Sequence, residues 1–207
     1  MNKKALLIAI FIIAVMILPT FATVLAAPKE QLDFVLYIQG GTAKSQWLHD
    51  NGYLVGSPDN KWVAAVPLPP PEGCAVWNYI NAPFVVKKVW LVIGGETIPY
   101  ECLDYAATVS GPLNWLTKTS NFKIDETLTI YLTPADKAAK NAWGTLEMRT
   151  VSHSPYPPPT GVVVGTFEGH GTGALEGVKV QGTTRTEMIG TPPVSTKVRE
   201  GTATGWP

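Results

Sequence analysis

The sequence predicts a mainly β protein: an antiparallel β-sandwich or partly closed β-barrel with one short helix, preceded by a hydrophobic N-terminal signal or anchor helix. Three observations predict it. Apolar and polar residues alternate with a period of two over much of the chain after residue 27, the pattern of half-buried strands. Glycine (19) and proline (18) are abundant, which suits strands joined by turns and disfavours long helices. Charged residues make up only 15% of the 207, below the rough quarter usual for soluble domains. Lys plus Arg equals Asp plus Glu at 16 each, so the basic excess of a nucleic-acid binder is absent.

The leader comes first. Lys3 and Lys4 precede an unbroken apolar run of 14 residues from Ala5 to Leu18, which Pro19 ends. Val24-Leu25-Ala26 offers compact residues at the −3 and −1 positions of a cleavage site. Residues 1–26 therefore read as a signal peptide. The alternative is an uncleaved membrane anchor, because residues 5–27 are long enough to span a hydrocarbon core of roughly 30 Å. Residues 27–207 are expected to fold as a single exported β domain, secreted or held at the cell surface, with two smaller units meeting near residues 155–160 as the alternative.

Leu32–Gln39 (LDFVLYIQ) reads as the first strand, ended by Gly40-Gly41. Turn clusters surround a short Tyr53–Val55 segment, Lys61–Val66 follows as a strand, and the PLPPP stretch of Pro67–Pro71 reads as an extended connector. Phe84–Ile93 (FVVKKVWLVI) is a strong strand, with Trp90 expected in the core, and Gly94-Gly95 turns it into Thr97–Leu103. Phe122, Ile124, Leu128, Ile130 and Leu132 share one parity, interrupted only by Glu126. Thr133 is a helix cap and Pro134 a first helical residue, so Pro134–Asn141 is the one helix expected after the leader. Gly144–Ser152 resumes strand character and Pro155–Pro159 (PYPPP) is a second stiff connector. Val162–Phe167 reads as a strand, Gly169–Gly173 as a glycine turn, and Leu175–Ile189 as a long strand bent at Gly177 and Gly182. Along it Val178, Val180, Thr184, Thr186 and Met188 take one face, and Lys179, Gln181, Thr183, Arg185 and Glu187 the other. Thr196–Ala203 adds a last strand before Trp206.

Cys74 and Cys102 are the only cysteines. In an oxidising compartment they are expected to form one disulfide, worth roughly 3 kcal/mol on the chain-entropy model. Neither has a CxxC or CxxH companion, so a zinc site is not implied. Gly169-His170-Gly171-Thr172-Gly173-Ala174 matches G-x-G-x-x-[GA], but LEGVKVQGTT follows it and will not make the helix a dinucleotide needs. No Gly-Lys-Ser/Thr phosphate loop, G-x-S-x-G or HExxH occurs. No cofactor is expected. Of His49, His153 and His170, His153 and His170 with Glu168 are the best candidates for a metal site, should they converge. Asp125 and Glu126 are adjacent and point to opposite faces of a strand, so they cannot flank one glycosidic bond.

There are seven tryptophans. Trp47, Trp77, Trp115 and Trp206 have polar or turn neighbours and are candidate aromatic contacts for a ligand or partner, since a flat ring buries much area at low entropy cost. GTFEGHGTGALEGVKVQGT, the 19 residues Gly165–Thr183, resembles the glycine-rich hairpins of small antiparallel barrels related to the allene-oxide-cyclase-like group. The resemblance implies a barrel and carries no activity or residue roles. The function expected is a non-catalytic extracellular module that binds a partner, a glycan or a small ligand and makes no nucleic-acid contact. A membrane-anchored structural protein of the cell envelope is the first alternative and a secreted enzyme without a recognisable motif the second.

Overall fold

Eight antiparallel strands close into a barrel in the computed structural model, which describes residues 30–43, 50, 54–55, 63–64, 76–114, 117, 119–155, 164–189 and 194–207. The strands are β1 (Gln31–Ala43), β2 (Leu54–Val55), β3 (Val63–Ala64), β4 (Val76–Ile93), β5 (Glu96–Ile98), β6 (Leu103–Asn114), β7 (Thr119–Ile130), β8 (Gly144–Pro155), β9 (Val164–Gly173), β10 (Lys179–Ile189) and β11 (Val194–Thr204). The sheet runs β1-β11-β10-β9-β8-β7-β6-β4, and β1 pairs with β4 to complete the ring. Closure is full, where the sequence allowed a sandwich or a partly closed barrel. It gives every strand of the ring a paired neighbour on both sides. β5 adds to β4 outside the ring, and β2 with β3 forms a separate two-stranded ladder.

The β4–β5 turn is Gly94-Gly95, both at positive φ (56° and 87°), the geometry that a two-residue hairpin demands and glycine supplies. An α-helix, α1 (Pro134–Ala139), starts where Thr133 and Pro134 predicted it. The Thr133 side chain accepts the Asp136 N–H at 3.1 Å, and Lys140 in the left-handed region ends the helix two residues before the expected end. Lys140 Nζ at 3.0 Å and Lys137 Nζ at 3.3 Å from Asp104 tie this helix to β6. Slight burial would raise the Asp104 carboxyl, but hydrogen bonds from Lys140, Tyr131 and Lys137 outweigh it and hold the pKa below the usual range.

GHGTG is not a turn, as the sequence reading had it. Residues 164–173 are all strand, and Ala174–Gly177 makes the turn instead, so the next strand starts at Lys179 and not at Leu175. The glycines serve close packing inside the ring. A Cβ on Gly171 would lie 2.0 Å from the Leu175 carbonyl oxygen. On the next strands, Phe34, Gly201, Gly182 and Phe167 form one row across β1, β11, β10 and β9. The two phenyl rings meet with centroids 5.6 Å apart, filling the space the two glycines leave open. Face assignment on β10 follows the sequence: Val178, Val180 and Thr184 are buried, and Lys179, Gln181 and Thr183 are exposed.

The interior is divided along the barrel. Phe34, Leu36, Ile93, Leu103, Leu128, Ile130, Leu146, Phe167 and Leu175 belong to a large apolar cluster. A smaller one, Ala82, Ala107, Val109 and Ile124 with Phe84 and Phe122 packed on it, lies toward the end where β1, β6, β8 and β10 finish. Each Leu or Phe buried in such a core contributes roughly 1.5–3 kcal/mol. Leu132, expected on the inward face, lies beyond the end of β7 and is exposed. Among the described residues no helix is long and apolar enough to cross a membrane. The leader, residues 1–26, and both proline-rich connectors lie outside the described residues apart from Pro155, which ends β8.

Candidate functional site

Between the two apolar clusters lies a layer of polar side chains, and strand parity puts it there. Glu126 sits on β7 between Ile124 and Leu128, Tyr105 on β6 between Leu103 and Ala107, and Thr150 on β8 between Met148 and Ser152. Lys197 and Arg199 precede Gly201 on the inward face of β11, and Thr186 and Thr184 face them in register on β10. Glu126 and Arg199 are 3% and 2% exposed, levels at which a charge persists only when paired.

They pair with each other. Arg199 Nη2 donates to Glu126 Oε1 at 3.0 Å and Nε to the same oxygen at 3.3 Å. Tyr105 donates to Oε2 at 2.7 Å, Thr150 donates to Oε1, and the remaining Arg199 nitrogen, Nη1, donates to Thr184. Burial, with the Glu126 charge beside it, pushes the Tyr105 phenol well above its usual pKa, so it stays a donor. The Glu126 carboxylate thus accepts from three side chains.

Lys197 stands one inward position beyond Arg199, toward the end of the barrel where β10 finishes. It is half-buried, and its Nζ lies 4.2 Å from the centroid of the Phe84 ring. Burial, reinforced by the Arg199 charge and opposed by Glu126, lowers its pKa to about 8. In register opposite it, the Thr186 hydroxyl oxygen is buried without a hydrogen-bond partner. The Lys197 amine thus lies against the Phe84 ring, with Thr186 opposite it in register.

The outer wall holds a second set of charges. A groove of about 860 Å³ crosses β6 to β10 and is lined by Asp125, Glu147, Arg149, Glu168, His170 and Lys179. Asp125 pairs with Arg149 at 3.0 Å and Lys123 at 3.2 Å, and Glu147 lies 3.5 Å from His170. These pairs are exposed and satisfy one another, so each is worth about 0–1 kcal/mol at most. Asp125 and Glu126 do point to opposite faces, outward and inward.

His153 and His170 do not converge. His153 faces Val164, six residues before His170 on β9, a separation of about 20 Å at strand rise. No group of three potential metal ligands occurs among the described residues. Cys102 is a free, buried thiol; Cys74 lies outside the described residues, so the expected pairing is no part of the described structure. Trp47 and Trp115 also lie outside them, as does the side chain of Trp77. Trp206 is half-buried against the large cluster and meets Trp143 edge-on at 6.2 Å. Trp90, expected in the core, faces outward and stacks on Tyr37, with centroids 4.9 Å apart. Phe84–Ile93 is apolar at both parities on either side of Lys87-Lys88, which hid its orientation.

The interior layer was missed in the sequence reading although its signal was legible. Glu126 is the one charged residue on an otherwise apolar parity, and Lys197 and Arg199 share parity with the buried Ala203. The fold and this layer define a closed eight-stranded antiparallel barrel with a charged, hydrogen-bonded stratum across its interior. Comparison with family models, with curated proteins and with solved structures found no match.

Proposed function

We propose that this is an exported, non-catalytic binding module that takes a small ligand at the mouth of its barrel, above the Glu126–Arg199 pair. The observation that supports the reading is the change of interior chemistry along one barrel: a large hydrocarbon cluster, then seven polar side chains (Tyr105, Glu126, Thr150, Thr184, Thr186, Lys197 and Arg199), then only a small apolar cluster toward the end where the ligand would enter. Hydrocarbon could fill that level as it fills the level below, and isosteric apolar replacement of a buried ion pair is often stabilising. Barrel mouths are recurrent ligand sites, with few polar groups set in an apolar wall. Lys197, Thr186, Phe84 and Phe122 supply such a wall. The carboxylate is engaged by Tyr105, Thr150 and Arg199 together, which suits a fixed recognition floor better than a proton-transfer group.

The test uses 1-anilinonaphthalene-8-sulfonate, an aromatic anion whose fluorescence rises in apolar sites. The folded protein is expected to bind it saturably, one per chain, and Lys197→Met is expected to weaken binding at least tenfold. Equal binding by the wild type and by Lys197→Met, Phe84→Ala and Thr186→Val would refute the assignment.

A further inference from the structure

The outer wall carries a site independent of the barrel mouth. Trp90 on β4 and Tyr37 on β1 are directly paired across the ladder, and their rings stack 12° from parallel. The stack fixes the indole. Beside Trp90 lies a slot of about 330 Å³ between the sheet and the Pro99–Glu101 turn, edged by Gln39, Lys88, Thr97 and Glu101. Tyr100 forms another aromatic wall and is 42% exposed. Its ring is held in place, because Lys137 Nζ lies 4.8 Å from the centroid and donates to the Tyr100 carbonyl at 3.1 Å. Lys88 Nζ lies 5.6 Å from the same ring.

We propose that this slot is a carbohydrate-binding site. The chemistry of its lining narrows the ligand. A wholly apolar ligand would cover an amide, a hydroxyl, an ammonium and a carboxylate without pairing any of them, at roughly 1–3 kcal/mol for each group left unsatisfied. A simple ion would make no use of two aromatic walls. A pyranose ring answers both demands. Its C–H face packs on a flat ring of fixed orientation. Its hydroxyls, each both donor and acceptor, meet the Gln39 amide, the Thr97 hydroxyl, the Lys88 donor and the Glu101 acceptor. Indole and phenol walls lose little conformational freedom on binding because the Tyr37 stack and the Lys137 contact already hold them.

The experiment titrates the full chain with a panel of disaccharides (cellobiose, chitobiose, lactose, maltose) and follows tryptophan fluorescence and calorimetric heat. At least one is expected to bind saturably. Tyr100→Ala and Glu101→Ala, both at exposed positions, are expected to weaken it at least fivefold, and Trp90→Ala at least tenfold, while Trp90→Phe retains most of the affinity. Lys197→Met, inside the barrel, is expected to leave saccharide binding unchanged, which separates this site from the mouth. If Trp90→Ala fails to fold, Tyr100→Ala and Glu101→Ala decide the matter. The proposal is overturned if no member of the panel binds, or if binding survives these substitutions unchanged.

Discussion

Lys197 gives the barrel a pH dependence that runs opposite to that of most proteins in the alkaline range. Its amine has a pKa of about 8 in the folded protein, against roughly 10.4 in an unfolded chain. Between those values the unfolded chain holds a proton that the folded barrel has released, so stability rises with pH there. At neutral pH the full difference opposes folding by about 3 kcal/mol, at 1.36 kcal/mol per pKa unit. Between pH 8 and pH 10 about 2 kcal/mol of that cost disappears by the same linkage relation. Above pH 10 the Tyr105 phenol, whose pKa is raised in the fold, begins to act in the opposite sense, so the window stops there. Lys197→Met keeps an unbranched stem against Phe84 and removes the charge. The assay is urea unfolding of both proteins from pH 7 to pH 10, with stability taken from midpoint and slope. The variant is expected to be the more stable at pH 7, and its advantage to shrink by about 2 kcal/mol between pH 8 and pH 10. A difference constant to within about 0.5 kcal/mol over that range would show that the amine is not held in the low-dielectric surround its burial implies.

Glu126→Gln leaves Arg199 buried without its carboxylate and is expected to cost about 3–5 kcal/mol in urea unfolding; Glu126→Gln with Arg199→Met is expected to cost less than Glu126→Gln alone. Gly171→Ala forces a methyl to within 2.0 Å of the Leu175 carbonyl and is expected to lose about 1–3 kcal/mol in a thermal scan. Thr133→Ala removes the cap of α1 and is expected to cost about 1 kcal/mol. Cys102 is a buried thiol, so it is expected to react with an aromatic disulfide reagent slowly in the native protein and at once in urea.

The strands were legible because their alternation is a local property. β10 and β11 were expected as strands near residues 179–189 and 196–203, and on β10 the faces of residues 178–184 follow the alternation, although the strand starts at Lys179 and not at Leu175. The cap at Thr133 and the Gly94-Gly95 turn were legible for the same reason, since each depends on a few adjacent residues. Ring closure was not, because it rests on β1 finding β4 on one side and β11 on the other, pairings far apart in the chain. GHGTG misled because glycine has two uses. It permits turns, and it admits a neighbouring backbone where a Cβ would collide; at Gly169 and Gly171 the second use holds. Trp90 misled because a strand apolar on both faces gives no parity, and only the register with Tyr37 fixes the outward face.

The interior layer raises a sharper question, because one observation supports two roles for it. A one-residue slip of β7 would turn Glu126 outward and bring Asp125 in, and would reverse Ile124 and Leu128 with it. The Glu126–Arg199 pair, 73 residues apart in sequence, therefore favours the observed register of β7 whether or not a ligand binds above it. Specification alone, however, needs only the pair. It gives no reason for Lys197, a second cation two residues from Arg199 whose protonated form costs stability at neutral pH, or for the unpartnered hydroxyl of Thr186 opposite it. Those two groups lie on the mouth side of the pair, where hydrocarbon would be the more stable filling. Replacing them leaves the Glu126–Arg199 pairing untouched, so Lys197→Met with Thr186→Val separates the roles. Unchanged closure with lost binding of the fluorescent anion assigns the pair to folding and the two mouth-side groups to recognition.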